Sequence, residues 1–399
     1  MKIGLKSFLM TGLVLGLVLS MNTVYYAEVE SKTPKYLILG MIFLFSTVLL
    51  ILSVYKLFLL KKSLRSLILF YIFYLLLSVI LVYSSLSVGH FGSSNLFMLV
   101  LFPILIAPTV YLERVINSVV LFKIYETIVV ILSVVSLFFW GLAMIGFSTN
   151  MMRQISWGTV YPVNGFFNIH FLAQDSVSFF GMNLIRNTGL FVEAPMYSFI
   201  LSIAVLSHLF ITSTNKWMSV KLLIWGITIF TTTSTTGLLL FIFAVFVRFV
   251  MDLNGIKKIL LMILVPVLLF VAVLVIRAKV QSMSGSVNIR LNDFYAGFQA
   301  WKEKPFFGHG ISDISSIKNY MDISRTVIGG NDGFSSGFME MLVGGGGFFA
   351  FFWGVVPFLK YGMTNKINAS FAFLLFVLLM VTIVDKTYLF VYLLVFMIL

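Results

Sequence analysis

The sequence predicts an all-α, polytopic integral membrane protein of about twelve transmembrane helices, with both termini cytoplasmic and two large extracytoplasmic loops. Three observations carry this prediction. The chain is 60% hydrophobic and only 10% charged, with a mean hydropathy of +1.07, which excludes an ordinary soluble domain. It holds many apolar stretches near the roughly 20 residues a helix needs to cross a bilayer. Its lysines and arginines also gather in alternate short connections, the pattern that sets membrane orientation.

Taken in order, the spans are expected at 8–24, 36–57, 66–87, 95–112, 124–147, 189–212, 219–233, 237–252, 259–277, 336–358, 368–385 and 387–399. The first follows Lys2 and Lys6 and could pass for a signal peptide. No small-x-small cleavage site follows it, so it is read as an anchor. The pair 219–233 and 237–252 is joined by only a few residues. Lys2, Lys6, Lys56, Lys61, Lys62, Arg65, Arg114, Lys123, Lys216, Lys221, Arg248, Lys257, Lys258, Lys360 and Lys366 all fall on one side. The short connections opposite hold little beyond Lys32, Lys35 and Lys386. With the basic side cytoplasmic, residues 148–188 and 278–335 become outer loops of a single membrane domain spanning 1–399. No internal repeat and no soluble domain stand out.

Composition also excludes several chemistries. There is no cysteine, so disulfides and thiolate metal sites are ruled out. The four histidines lack HExxH or similar spacing, which argues against zinc. The net charge of +13 forms no long basic run, so it indicates orientation rather than nucleic acid. No Walker A sequence, GxSxG elbow or kinase pattern is present.

Polar residues cluster in the outer loops. Arg153, Arg186, Arg277, Lys279, Arg290, Lys302, Lys304, Lys318 and Arg325 stand where basic residues are normally scarce. Long loops cross regardless of charge, which is one explanation. The other is a cationic cavity for an anionic headgroup, since the arginine fork donates two parallel bonds to phosphate.

In "RLNDFYAGFQAWKEKPFFGHG", residues 290–310, Leu291, Phe294, Tyr295, Phe298 and Trp301 recur at helical spacing. They predict a surface helix near 290–302, ended by Pro305, Gly308 and Gly310. Its aromatic stripe would face lipid or core, and Arg290, Asp293 and His309 would face a ligand. Arg290 stands at the expected helix start, where the dipole disfavours a base, so a ligand contact explains it better than local stability. His309 either acts chemically or merely completes a Gly-His-Gly turn.

"RNTGLFVEAPMYSF", 186–199, puts Arg186 at the interface and Glu193 with Pro195 inside an apolar stretch. A carboxylate there is a functional candidate, or it pairs with a nearby arginine. Pro195 would break the helix beside a cavity. The hydroxyls of "TTTSTTG", 231–237, either satisfy a broken helix or donate to sugar or phosphate. Gly344 to Gly347 read as close helix packing. Glu126 reads as snorkelling or paired with Lys123, and His170 and Asp175 as candidate sugar contacts.

Together these pieces resemble the O-antigen ligase and polymerase superfamily, in particular the Wzy-type polymerases of capsular or exopolysaccharide. "RNTGLFVEAP" is similar to the family's Arg-x-x-Gly element, and "TSTTG" occupies the place of its Ser-Arg-Gly turn. "AGFQAWKEKPFFGHG" resembles the helix ending in Pro-x-x-Gly-x-Gly, and "NDGFSSGFMEMLVGGGG" the segment led by His-Asn. The resemblance covers about 180–360 and rests on the order of the four motifs.

It implies a membrane glycosyltransferase of the cytoplasmic membrane with an outward-facing site, using an undecaprenyl-diphosphate-linked glycan donor and a second such lipid as acceptor. Flippase and chain-length regulator partners would follow, with no cofactor, no metal and no nucleic acid. Arg186 and Arg290 match arginines that hold the diphosphate, with Thr236, Asp293 and Asn331 as further substrate contacts. Thr236 replaces the arginine of the Ser-Arg-Gly turn. The His-Asn histidine is absent, with Asn331, Asp332 and Gly333 in its region. Ligases rely on that histidine, so its loss favours a polymerase. The base stays open between Asp332 by position, His309 by chemistry and Glu193. The competing class is a lipid-linked oligosaccharide flippase or other polytopic transporter. Such proteins show repeat-related halves and midplane charges, whereas the polar residues here gather in the outer loops.

Overall fold

The computed structural model describes residues 4–399 except 88–94, 96, 180, 213–218, 253–283, 312–314, 324 and 327–332. The protein is mostly helical. Among the described residues, seven helices have the length and apolarity to cross a membrane: Thr33–Leu59, Arg65–Leu86, Phe97–Val115, Val120–Met144, Ala194–Thr212, Thr235–Asp252 and Gly337–Gly362. Leu5–Leu19, Val220–Thr231, Lys366–Val381 and Tyr388–Ile398 are apolar but shorter. The expected span 259–277 lies outside the described residues, as do Asn331 and Asp332. Each other expected span overlaps one of these helices.

Outward-facing apolar side chains mark the bilayer environment. Phe58 is 78% exposed, Val79 67% and Leu76 64%. Contiguous apolar surface of this kind is unfavourable in water and fits hydrocarbon. The chain is a multi-pass membrane protein.

It divides into two compact units. One comprises 1–21, 36–121 and 288–399. There Tyr388–Ile398 packs against Leu5–Leu19, Phe102–Val115 and Val356–Gly362. Almost every residue of that helix is buried, which is why its sequence is apolar on all sides. The other unit comprises 22–35 and 122–287. Its centre is Ala194–Ser207, packed against Val220–Thr231 and Thr235–Asp252.

The all-α expectation needs correction in this second unit. Residues 151–185 form five strands: β1 Met151–Trp157, β2 Thr159–Phe166, β3 His170–Leu172, β4 Ser176–Phe179 and β5 Met182–Ile185. β1, β2 and β3 make an antiparallel sheet, and β4 pairs with β5. The physical reason is local. Gly158 and Gly181 take φ of +74° and +76°, and they turn runs of β-branched and aromatic residues back on themselves. Ile155, Val163 and Phe171 then bury one face against Val24 and Val192.

In the first unit the helix Gly337–Gly354 is broken at Gly346, which has φ 74° and ψ 178°. Gly344 to Gly347 do allow a close approach, but to a turn rather than to another helix. His309 N and Gly310 N donate to Val343 O and Gly344 O at 2.8 and 2.9 Å, and Gly347 N donates to Pro305 O at 2.7 Å. The "PFFGHG" turn thus takes up backbone groups that the break releases, as a broken helix at membrane depth requires. A Cβ on Gly346 would overlap the Phe306 carbonyl in a left-handed conformation. Gly346→Ala is therefore expected to lower the amount of folded protein in the membrane, read by immunoblot. A normal level would deny the kink its structural role.

Candidate functional site

Two stations hold most of the residues the sequence singles out, one in each unit.

The first is built on Arg186. The β4–β5 hairpin ends at Ile185, and the chain then runs through Asn187, Thr188 and Gly189 to the start of Ala194–Ser207. Asn187 N donates to Thr231 O at 3.1 Å, and Asn187 Nδ2 donates to Thr231 Oγ1 at 3.0 Å. Gly189 holds φ +57°, and a Cβ there would lie 3.0 Å from the Tyr197 ring. These contacts fix Arg186 over the threonine turn. Its Nε donates to Thr233 Oγ1 at 3.0 Å and weakly to Thr232 O at 3.4 Å. Among the described residues neither Nη has a protein partner, so the outer edge of the fork is unclaimed.

The turn itself explains most of its hydroxyls structurally. Thr231, Thr232 and Thr233 donate to the carbonyls of Thr228, Ile229 and Thr232. Ser/Thr hydroxyls commonly take up backbone groups in this way. Thr236 is the second residue of Thr235–Asp252 and is half-buried.

Glu193 and Pro195 sit differently from expectation. Glu193 is the extended residue preceding Ala194–Ser207, and Pro195 lies in its first turn. Proline starts this helix rather than breaking it, since the amide it lacks has no partner there anyway. Burial pushes the Glu193 carboxyl above its ordinary range, opposed by the Arg186 charge and a bond from Trp157. Burial likewise draws the Arg186 pKa down, against the Glu193 charge. The two interact without closing an ion pair.

The second station is the helix Ser284–Glu303. The predicted surface helix is present but starts earlier, so Arg290 lies in its second turn and not at its N-terminus. Leu291, Tyr295 and Phe298 are exposed, and Ala296 and Ala300 pack inward with Ile317, Met321 and Val343. Arg290 is half-buried. Burial lowers its pKa, and Asp293 counteracts this.

Asp293 does not face outward as expected. It is 0% exposed, takes Arg325 Nη1 at 2.6 Å and Ser335 Oγ at 2.5 Å, and is spent inside the protein. Arg325 also reaches Asn292 Oδ1 at 3.2 Å and Gly333 O. Arg153 is similarly committed, to Glu28 at 2.5 Å. Two of the arginines expected in outer loops are thus paired within the protein.

His309 is buried in its turn, with Nε2 2.8 Å from Ala300 O and 3.5 Å from Glu303. A carbonyl only accepts, so Nε2 carries a proton. A base role would fall to Nδ1. His309→Gln keeps a donor for Ala300 O and removes the titratable nitrogen. Unchanged activity of this variant is the expected result, measured in cells at a normal protein level. Loss of activity at that level would restore His309 as a base candidate.

Two further expectations are corrected. His170 is 0% exposed and stacked against Phe139 with centroids 6.2 Å apart. Burial lowers its pKa to about 4, so it is a neutral core residue and not a sugar contact. Glu126 pairs not with Lys123 but with His208 at 3.1 Å and Lys221 at 3.3 Å.

One further group is not among the candidates the sequence offers. Glu340, Asp385 and Lys386 meet in the first unit, with Lys386 Nζ paired to Glu340, and all three line a recess with Ile311, Gly344 and Gly345. An acid inside an apolar run was the available signal. Among the described residues no group of three or more His, Asp or Glu side chains is arranged for a metal ion.

No curated protein and no solved structure matches the chain. Residues 220–354, which include Thr236, Arg290, His309 and Glu340, match the family model described as O-Antigen ligase, and over that stretch this multi-pass membrane protein is consistent with the O-antigen ligase/polymerase superfamily.

Proposed function

We propose that the protein is a membrane glycosyltransferase that polymerises oligosaccharide repeat units carried on undecaprenyl diphosphate, at the outer face of the cytoplasmic membrane. The observation that carries this reading is Arg186, anchored through Nε to the threonine turn with both Nη groups unclaimed among the described residues. A planar cation held by one edge and open on the other suits a diphosphate oxygen pair.

In the reaction an acceptor sugar hydroxyl attacks the donor's anomeric carbon, inverts it, and expels the lipid diphosphate. Charge grows on the leaving diphosphate, where a fixed guanidinium lowers the barrier. Arg290 is the second arginine assigned to phosphate. The absence of the His-Asn histidine favours polymer extension over ligation to another acceptor. A flippase supplying the units and a chain-length regulator are the partners this activity would use.

Deletion of the gene with analysis of lipid-linked glycans tests the activity. Single repeat units should accumulate on the outer face. Units trapped inside would identify a flippase instead, and full-length polymer left on its carrier lipid would identify a ligase. Orientation is tested separately on this cysteine-free background. Lys318→Cys should react with an impermeant maleimide in intact cells. Reaction only after permeabilisation would invert the topology.

A further inference from the structure

Glu340, Asp385 and Lys386 carry more charge than the fold uses. Lys386 Nζ binds Glu340, which accounts for one carboxylate. Asp385 lies close enough to Glu340 and Lys386 for their charges to interact. Two acidic side chains thus share one ammonium, and a side-chain hydrogen bond joins Asp385 to Glu340. Asp385 is only 3% exposed; its carboxyl is bonded to Glu340, and among the described residues its Oδ1 has no hydrogen-bond partner. A buried carboxylate oxygen without a partner is costly, so a purely structural ion pair leaves it unexplained.

The same three side chains line a recess whose other walls include Ile311, Gly344, Gly345 and Phe349. An anion is disfavoured beside two acidic side chains that share one ammonium. A neutral hydrogen-bond donor, such as a sugar hydroxyl, fits. The recess is also tied through the fold to the second station. Asp293, one turn from Arg290, binds Ser335 Oγ. Gly337 follows two residues later, and a Cβ on it would stand 3.2 Å from Asp385 Oδ1. Gly337 N donates to Thr382 O at 3.1 Å, so the segment carrying Asp385 is tied to the start of this helix.

We propose that Asp385 is the group that receives the acceptor hydroxyl, binding it and taking its proton, with Lys386 and Glu340 as positioning residues. The inference rests on the polymerase reading above. As the hydroxyl oxygen bonds to the anomeric carbon, the bond from that carbon to the diphosphate oxygen breaks and its electron pair leaves with the lipid diphosphate. The hydroxyl proton passes to Asp385 Oδ1 and afterwards to water. Positioned bases of this kind contribute about 10²–10⁴-fold.

The test uses the purified full chain in liposomes, with lipid-linked repeat units extracted from the deletion strain as the probe. Failure of the wild-type chain to extend them would defeat the polymerase reading itself. If it does extend them, Asp385→Asn should keep its thermal transition and its KM but lose about a hundredfold or more in kcat. A base acts only when deprotonated, so wild-type kcat should rise with pH along an acid limb, and that limb should vanish from the residual activity of the Asn variant. Asp385→Glu covers the case of an Asn variant that fails to fold: it should restore part of the activity with the acid limb displaced, since Glu340 and Lys386 would face a carboxylate in a new position. Asn turnover within threefold of wild type, or an acid limb unchanged in the Glu variant, would overturn the assignment.

Discussion

Arg186→Ala should cut polymer formation by at least about a hundredfold, the usual loss when a fixed donor to developing charge is removed. The protein should still reach the membrane at close to its normal level. Arg186 is half-buried and contributes one good bond to Thr233 and one weak bond to Thr232 O. Losing that anchoring costs about 1 kcal/mol, too little to unfold the chain. Arg186→Lys should rescue poorly, because a point charge cannot hold the turn with one nitrogen and a phosphate with two others. Thr233→Val keeps the β-branch and removes the acceptor for Nε, so it should reduce polymer less than the alanine variant does. Polymer is measured on gels against immunoblotted membrane protein. Normal polymer from Arg186→Ala would remove the diphosphate-binding role.

The helices were readable because burial in lipid demands long apolar runs, and those runs are visible without any partner. Strands β1 to β5 were not, because a segment set between spans looks like a loop when only hydropathy is read. Its turn glycines, Gly158 and Gly181, were the missed signal. The helix at Ser284–Glu303 is legible in its aromatic stripe, of which Leu291, Tyr295 and Phe298 are exposed, one of the two expected settings. The inward face is small and polar, with Asn292, Asp293, Ala296 and Ala300, and apolar periodicity cannot mark such a face. Arg186 and the threonine turn both stand out in the sequence. That one seats the other depends on a hydrogen bond between residues 47 positions apart, which pattern alone does not contain. The Glu340, Asp385 and Lys386 group is hidden for the opposite reason. In the sequence Lys386 reads as a loop charge setting orientation, which masks the acids near it.

Asp293→Ala should destabilise the folded protein rather than alter turnover. Its carboxylate is fully buried and holds Arg325 and Ser335, tying the helix Ser284–Glu303 to the residues leading into Gly337–Gly354. Removing it leaves Arg325 buried without its anion, a change that costs about 3–5 kcal/mol for a broken interior pair. The expected result is a lower apparent Tm in detergent and less protein in the membrane. Arg325→Ala should do similar damage by stranding Asp293. Asp293→Ala with Arg325→Met removes both charges together, so it should be less harmful than the sum of the two single changes. That sub-additivity separates a structural pair from a substrate contact. If Asp293→Ala instead accumulates normally, melts normally and makes no polymer, then its carboxylate serves the substrate, and the pair with Arg325 must open during the reaction.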